Sequence, residues 1–187
     1  MPVSLSAPYR CRAALLSKST PSSKSPEPMS GPMAGMVAAR LHASGLHLPP
    51  APTPVASYVG FVTVGKLVHV AGVGPTWGPE IRYRGKVGGT LSFEDGYAAA
   101  ALTALNLLAH MEVACGGDLD RIACCVKLLC LVNAVPDFMD AQKVANGATD
   151  LLTDLFGVEN RPARTTTASP SLPFDIAFEA DAVFLLH

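Results

Sequence analysis

The chain has 187 residues, which is enough for one domain of ordinary size with an extension but short for two independent cores. Hydrophobic residues make up 49% of the chain and charged residues 16%, so much apolar surface has to be covered, most simply by oligomerisation. The formal net charge of −1 provides no general attraction to nucleic acid or to an anionic membrane. Composition therefore argues against a ribonuclease, and no uninterrupted apolar run reaches the ~20 residues of a membrane span.

The N-terminal segment, residues 1–36, differs in composition from the rest of the chain. It is rich in Ser and Pro, holds four basic residues and has no acid before Glu27. Such a segment cannot build a core, and its composition is typical of both a disordered tail and a mitochondrial transit peptide. We expect a folded domain over residues 37–187 in a cytoplasmic protein, or in a mitochondrial one if the segment is a targeting signal.

The first part of the domain predicts extended structure. Four prolines between residues 49 and 54 predict an extended lead-in that cannot be helical. Residues 58–64 and 67–71 are rich in β-branched side chains and flank Gly65-Lys66, which predicts a β-hairpin. Residues 72–89 contain many Gly and Pro and predict mostly loop, with a short strand at 81–84.

The second part predicts an alternation of helices and strands. Ser92 is a candidate N-cap for a helix over Phe93–Ala114, residues 122–132 predict a strand buried on both faces, and residues 138–156 predict a second helix. Two strands follow, at Ala163–Ser169 and at residues 176–186. The order β-β-(β)-α-β-α-β-β predicts an α+β domain with both helices on one face of one sheet and the other face left apolar.

The two C-terminal strands carry polar residues where apolar ones are expected. Glu179 and Asp181 share an otherwise apolar face, while Arg164 and Thr166 share a face of the preceding strand. A hairpin-like pairing of these strands would bring Arg164 near Glu179. Two interpretations follow: a structural ion pair, or an arginine that holds a ligand carboxylate in a bidentate fork.

Several segments of the chain resemble the RidA/YjgF family in their order and spacing. They are the hairpin that starts at Tyr58-Val59, the motif Pro136-Asp137-Phe138, the helix segment Asn146-Gly147-Ala148-Thr149, and Arg161-Pro162-Ala163-Arg164 followed by Leu172-Pro173 and Phe178-Glu179. The similarity covers roughly residues 40–187. Residues 85–88 and Asn106-Leu107 look like the longer-looped branch of the family.

This resemblance implies a fold and an activity. The fold is chorismate-mutase-like: a single mixed sheet with two helices on one face, in a homotrimer whose sheets line a central barrel and whose clefts lie between subunits. The activity is hydrolysis of reactive 2-enamine or 2-imine acids, of the 2-aminoacrylate type, to 2-keto acids and ammonia. It needs no cofactor, and the implied partners are a small 2-imino or 2-keto acid and other copies of the chain, with no nucleic acid and no membrane.

The resemblance also implies roles for particular residues. Arg164 would clamp the substrate carboxylate, Glu179 would orient or deprotonate the attacking water, Tyr58 would wall the cleft, and Gly72 and Thr166 would line it. The family usually has Ser-Gly-Gln where this chain has Ala71-Gly72-Val73, and usually has Cys at the position of Thr166. These differences change the polarity of the pocket around Arg164 and hence the substrate it accepts.

Other functions fit the sequence less well. Common phosphate-binding, nucleophile-elbow and metalloprotease motifs are missing, and the five histidines are scattered, so we predict no metal site. A non-catalytic or chaperone-like trimer that binds a small carboxylate is the main alternative to the deaminase. A ribonuclease is the third, although the chain lacks interleaved basic and aromatic residues.

Overall fold

The computed structural model describes residues 35–187, so most of the predicted N-terminal tail lies outside the described residues. The helices are α1 (Met36–Ala43), α2 (Phe93–Ala114), α3 (Ala141–Val144) and α4 (Asn146–Phe156). The strands are β1 (Phe61–Val64), β2 (Leu67–Val73), β3 (Thr76–Trp77), β4 (Glu80–Ile81), β5 (Ile122–Asn133), β6 (Ala163–Ser169) and β7 (Phe178–Leu186). Single turns of 3-10 helix occur at Leu119–Arg121, Val158–Asn160 and Pro173–Asp175.

Five strands form one mixed sheet in the order β1-β2-β7-β5-β6. The β1–β2 hairpin is closed at Val64 and Leu67, as predicted, and β7 pairs antiparallel with both β2 and β5. The edge strand β6 pairs parallel with β5, which requires the crossover that α3 and α4 provide. The predicted α+β class with a single mixed sheet is therefore confirmed.

The two faces of the sheet differ in what covers them. On β7 the residues Phe178, Ala180, Ala182 and Phe184 are buried beneath the helices. The alternate residues of β5 and β7 point to the other face, where the apolar side chains of Leu129, Leu131, Val183 and Leu185 are only partly buried. As predicted, one apolar face has no covering layer within residues 35–187 of one chain.

The helix α2 begins and ends where the sequence predicted. The Ser92 hydroxyl accepts a hydrogen bond from the Asp95 backbone N–H at 3.0 Å, and the Asp95 carboxylate accepts one from the Ser92 backbone N–H at 3.0 Å. This reciprocal capping box satisfies two amides that the first turn would otherwise leave unpaired. By length and composition α2 could cross a membrane, but two thirds of its apolar window is buried against the rest of the domain, which makes it the core helix.

Two predicted strands at the start of the domain are shorter than expected. β1 begins at Phe61 rather than at residue 58, because the Tyr58 N–H donates to the Ala56 carbonyl in a turn. The predicted strand at 81–84 is reduced to β4, which pairs with β3 as a separate two-residue hairpin. Gly78 closes this hairpin with a φ of +58°, a left-handed conformation that glycine adopts without strain.

The last strand also begins later than predicted. Phe174 and Asp175 adopt φ values of +56° and +58°, so the chain cannot enter the sheet there. Ile176 instead makes an isolated antiparallel bridge with Arg84, and β7 starts at Phe178.

The predicted second helix, residues 138–156, is split into α3 and α4. Phe138 packs over Gly88, where an added Cβ would lie 2.8 Å from the aromatic ring, so residues 135–138 form a turn instead of a helix. α3 begins after Asp140, whose carbonyl accepts hydrogen bonds from the backbone N–H groups of Lys143 and Val144. One residue, Ala145, separates the two helices.

The sequence analysis did not predict α1. Its first two amides, those of Met36 and Val37, each donate to a carboxylate oxygen of Asp120 at 2.8 Å. Val37 and Leu41 lie one turn apart and are both buried, and the Arg40 guanidinium donates to the Leu155 carbonyl of α4. The helix is therefore fastened to the domain at both ends.

The helices α2 and α4 approach each other most closely at Gly147. A Cβ added there would lie 2.1 Å from the Tyr97 carbonyl oxygen, and backbone cannot move aside as a flexible side chain can. We expect Gly147→Ala to lower the free energy of unfolding by about 2–3 kcal/mol through overpacking, measured by urea denaturation.

The matched control is Asp154→Ala, on the exposed side of the same helix, which should change the free energy of unfolding by less than about 0.5 kcal/mol. A Gly147→Ala protein as stable as this control would show that the helices are not packed at this distance.

Candidate functional site

Arg164 lies on β6 with its side chain directed toward the helices. Its Nη1 donates to Asn146 Oδ1 at 3.0 Å and to Thr149 Oγ1 at 2.9 Å, and its Nη2 donates to the Gln142 carbonyl at 2.9 Å. The junction between α3 and α4 places these three acceptors around the guanidinium. The sequence resemblance had pointed to the Asn146 segment, and the structure gives it the task of holding Arg164.

The charge of Arg164 is not compensated by a carboxylate among residues 35–187. All three of its hydrogen-bond acceptors are neutral, and the ion pairs of this part of the chain are Arg82–Glu80 and Lys143–Asp140. A guanidinium has five N–H donors, so about two of them, on Nε and Nη2, remain after these three bonds. Those two nitrogens form one planar edge, which is the geometry that binds a carboxylate in a bidentate fork.

Thr166 and Cys130 are cross-strand neighbours on the same face as Arg164. The Thr166 hydroxyl oxygen is buried and makes no conventional hydrogen bond within the described chain; the thiol of Cys130 is the polar group beside it. Burial raises the pKa of Cys130 to about 12, although the Arg164 charge and the Thr166 hydroxyl act in the opposite direction. The thiol therefore stays protonated and is no nucleophile at neutral pH.

Glu179 lies on the uncovered face of the sheet, beside Gly72. A Cβ added at Gly72 would lie 2.6 Å from Glu179 Oε1, so glycine at this position leaves the space that the carboxylate occupies. The backbone of β2 is irregular here, since its register with β7 shifts between Val70 and Val73. The structure thus brings together Gly72 and Glu179, two of the predicted site residues.

The electrostatic surroundings of Glu179 favour its protonated form. Burial raises its pKa, and the negative charge of Asp181, two residues along the same face, raises it further. Burial also raises the pKa of Asp181, an effect that the Lys127 charge reduces. A carboxylate with a raised pKa in a partly buried position is typical of groups that exchange protons in active sites.

A cavity of about 1110 Å³ opens next to Glu179. Tyr58 and Gly72 line it, as do the proline-rich lead-in, the end of β2 and the segment at Pro173–Ile176. Tyr58 is 46% exposed, so it stands at the edge of the cavity. The sequence-predicted residues Tyr58, Gly72 and Glu179 therefore belong to one cavity.

A role for His110 in this cavity was not predicted from the sequence, in which the five histidines are scattered. His110 projects from α2 and is buried, its ring packs edge-on against Phe61, and it lies so close to Gly60 that a Cβ there would be 2.4 Å from the ring. Burial lowers its pKa, so the ring is neutral at physiological pH. The available signal was a single histidine inside an Ala- and Leu-rich helix.

The predicted proximity of Arg164 and Glu179 within one chain is wrong. β6 and β7 do not pair, because β5 lies between them and hydrogen bonds to both. In this register Arg164 is opposite Leu128 on the helix-covered face, whereas Glu179 is opposite Leu131 on the uncovered face. Two groups of predicted site residues result: Arg164 with Thr166, and Glu179 with Tyr58 and Gly72. The structural ion pair between them is ruled out by the same geometry.

The part of the chain that the structure describes holds no cluster of three or more His, Cys, Asp or Glu side chains that could bind a metal ion.

Comparison with known proteins gives the same family from sequence and from structure. The sequence profile of the family described as "YjgF/chorismate mutase-like, putative endoribonuclease" matches residues 38–181. Protein TCP17 of Trypanosoma cruzi is 40% identical over 160 residues, which cover 85% of this chain and 99% of that protein.

Two solved structures superpose on most of the domain. The protein Atu1372 of Agrobacterium tumefaciens has a TM-score of 0.76 and 35% identity, over 81% of this chain and 93% of that one. A putative endoribonuclease of Shewanella oneidensis MR-1 has a TM-score of 0.77 and 29% identity, over 80% and 99%. With the predicted motifs in place on this mixed sheet, the chain belongs to the RidA/YjgF family and has its chorismate-mutase-like fold.

Proposed function

We propose that the protein hydrolyses reactive 2-enamine or 2-imine acids to 2-keto acids and ammonia. The observation that carries the proposal is the uncompensated guanidinium of Arg164, held by three neutral acceptors with one donor edge unused by the described chain. A buried or half-buried cation without a counter-ion is costly, and a ligand carboxylate would supply the missing charge. Membership of the RidA/YjgF family supports the proposal that this carboxylate belongs to a 2-enamine or 2-imine acid.

The chemistry needs no cofactor, because an imine carbon is already electrophilic. Glu179 accepts a proton from a water molecule while the oxygen of that water bonds to the imine carbon, and the nitrogen takes up a proton from solvent. Glu179 then returns its proton to the amino nitrogen of the resulting carbinolamine, the hydroxyl group loses its proton to solvent, and ammonia leaves as the C–N bond breaks and the C=O bond of the 2-keto acid forms. Arg164 holds the carboxylate so that water and carbon meet in the reactive orientation.

The complete site is formed between two subunits of a homotrimer. In one chain Arg164 and Glu179 are on opposite faces of the sheet and two strands apart, which is roughly 10 Å across the strands alone. A substrate of a few atoms cannot contact both. Joining Arg164 of one subunit to Glu179 of the next solves this, and the same assembly covers the apolar sheet face around Leu129 and Leu131.

Two other functions are tested by the same experiments. Arg164 would serve equally well in a protein that binds a small carboxylate without turnover. The word endoribonuclease in the description of the family and in the name of the Shewanella relative points to RNA cleavage, which the net charge of −1 does not favour. We retain the prediction of a cytoplasmic location, with a mitochondrial one as the alternative, as part of the proposal.

Replacement of Arg164 tests the carboxylate anchor. We expect Arg164→Ala to lower kcat/KM for 2-aminoacrylate, generated in situ by a pyridoxal-dependent lyase, by about 100-fold or more, because two charge-assisted hydrogen bonds are lost. Arg164→Lys should recover only part of the loss, since an ammonium lacks the planar fork. Ammonia release measures the rate, and near-ultraviolet circular dichroism checks that α3 and α4 remain in place.

The matched control is Arg161→Ala, at an exposed arginine three residues earlier, which should leave the rate unchanged. Full activity of Arg164→Ala would contradict the proposal. Saturable binding of pyruvate with no acceleration of imine hydrolysis by the unmodified protein would favour the binding function, and RNA cleavage that persists in Arg164→Ala would favour the ribonuclease.

Mixed trimers test whether two subunits share the site. Arg164→Ala and Glu179→Gln should each be nearly inactive, but co-expression from separately tagged copies should restore about a quarter of the activity in the unfractionated mixture and about a third in trimers purified through both tags. In random 1:1 mixing about three quarters of the trimers are mixed, and each of these has one interface in three with both residues intact. Purification through both tags, light scattering and activity provide the measurement. Verified mixed trimers that remain inactive would show that the residues do not act across an interface.

The pH dependence tests the environment of Glu179. As the base, Glu179 must be ionised, so its raised pKa moves the acid limb of the kcat/KM profile to higher pH. Asp181→Asn removes a neighbouring negative charge, lowers the pKa of Glu179, and should move the acid limb to lower pH. Asp154→Asn, at an exposed acid on α4, is the control and should leave the profile in place. An acid limb that Asp181→Asn does not move would argue against Glu179 as the titrating base.

A further inference from the structure

The cavity beside Glu179 is far larger than the smallest substrates of the proposed reaction. Its volume is about 1110 Å³, and pockets for drug-sized ligands are typically about 300–1,000 Å³. A three-carbon imino acid has few heavy atoms and fills on the order of 200 Å³ if each takes about the 30 Å³ of a water molecule. In the single chain such a substrate would leave most of this volume free, for a larger side chain or for residues of the adjoining subunit in the proposed trimer.

The lining of this cavity is suited to an apolar group. Pro52, Val55, Ile81 and Ile176 contribute to its walls, and within residues 35–187 no lysine or arginine lines it. At the end of β2 the family's usual Ser and Gln are replaced by Ala71 and Val73, which removes two polar side chains from the wall. A substrate carboxylate would therefore find no cationic partner there. A hydrocarbon side chain would be stabilised there, because its apolar surface would be removed from water.

Apart from the hydroxyl groups of Thr53, Tyr58 and Thr76, the polar side chains that line the cavity are His110 and Glu179, and these two do not change this conclusion. The His110 ring is neutral, because burial lowers its pKa. The Glu179 carboxylate repels other anions, so the carboxylate end of a substrate would point away from the cavity and toward Arg164 of the adjoining subunit. The remaining end of the substrate, its side chain, is the part that enters.

The mouth of the cavity is apolar as well. Val55, Tyr58 and Phe174 line the cavity and are 71%, 46% and 58% exposed, so three large hydrophobic side chains lie between the cavity and solvent. Phe174 is held there at a φ of +56°, in a conformation that costs on the order of 1–2 kcal/mol for a residue other than glycine. Such backbone strain is typically retained at functional sites.

The strained segment is fastened by a buried network. Asn133 is fully buried, and its amide donates to Asp175 Oδ1 at 2.9 Å and to the Gly85 carbonyl at 3.2 Å. The Gly85 N–H donates in turn to the Asp175 carbonyl at 2.8 Å. Phe174 is therefore presented at the cavity by fixed neighbours, which gives the mouth a defined shape.

We infer that the preferred substrates of this enzyme carry a large apolar side chain, so that 2-imino acids with leucine-like or phenylalanine-like side chains are hydrolysed more efficiently than 2-aminoacrylate or the alanine imine. This inference rests on the proposed deaminase function and adds the substrate class. The reaction is unchanged: water adds to the imine carbon, ammonia leaves, and the 2-keto acid with the same side chain is formed.

The substrate class indicates which kind of reaction supplies the imine to this enzyme. β-Elimination by a pyridoxal enzyme requires a leaving group on Cβ, which leucine and phenylalanine lack. Their 2-imino acids arise by two-electron oxidation of the amino acid at the C–N bond, with a flavin or nicotinamide as the oxidant. The enzyme would therefore act directly after an amino-acid-oxidising reaction.

Imines that differ only in the side chain test the inference. D-Amino acid oxidase with catalase generates them in situ from D-alanine, D-leucine and D-phenylalanine, since the imine has no stereocentre at Cα. Competition with semicarbazide measures the rate constants. We expect kcat/KM to be at least about 10-fold higher for the leucine and phenylalanine imines than for the alanine imine, as expected for several buried methylene groups.

Narrowing the cavity should reverse this preference. Ala71→Leu places three further carbon atoms in the cavity wall and should lower the leucine-to-alanine ratio of kcat/KM by about 5-fold or more. Ala51→Phe, on the proline-rich lead-in, is the second variant if the first does not fold. Ala43→Leu is the matched control, on the exposed end of α1 outside the cavity, and should leave the ratio unchanged.

The outcomes separate this inference from the proposed function. Hydrolysis of the alanine imine at an equal or higher rate, or a ratio that neither narrowing variant changes, would overturn the inference and leave the deaminase intact. If no imine is hydrolysed faster than in buffer, the deaminase fails. Calorimetry with 4-methyl-2-oxopentanoate and pyruvate then tests whether the cavity prefers a large apolar side chain. Tighter binding of the larger acid, weakened by Ala71→Leu, supports the inference. Equal binding of the two acids overturns it.

Discussion

The position of β5 determines where every candidate site residue lies. This strand pairs parallel with β6 on one side and antiparallel with β7 on the other, so it separates the two strands that carry Arg164 and Glu179. Because side chains alternate along a strand, the same register sends Arg164 to the helices and Glu179 to the uncovered face. A shift of one residue in either pairing would exchange these faces. The division of the site into two groups is thus a property of the sheet itself.

Both groups retain charges that residues 35–187 of one chain do not neutralise. Arg164 has only neutral acceptors within residues 35–187, and Glu179 is partly buried next to another carboxylate. Neither arrangement favours the stability of the isolated subunit. The proposed function explains both arrangements in the same way, because each group would interact with a partner from outside the subunit. The partner of Arg164 would be an anion, and the partner of Glu179 would be water or a proton.

The sequence predicted those features that depend on local signals. α2 was predicted at its observed bounds because Ser92 and Asp95 form its cap, and β6 because turn residues flank it. The alternation of Glu179 with buried residues on β7 was also correct. The pairing of β6 with β7 was wrong, because adjacency in the sheet depends on the crossover through α3 and α4, which no local pattern encodes. The role of His110 and the extent of the cavity were missed for the same reason, since they arise where distant segments meet.

Through the contact between Gly147 and Tyr97, α2 lies close to both groups of candidate site residues. Tyr97 meets α4 one residue from Asn146, which holds Arg164, while His110 on the same helix lines the cavity beside Glu179. These two points are about 20 Å apart along one rigid helix. In the homotrimer that we propose, these two points would belong to successive sites, so that each α2 would connect one site to the next.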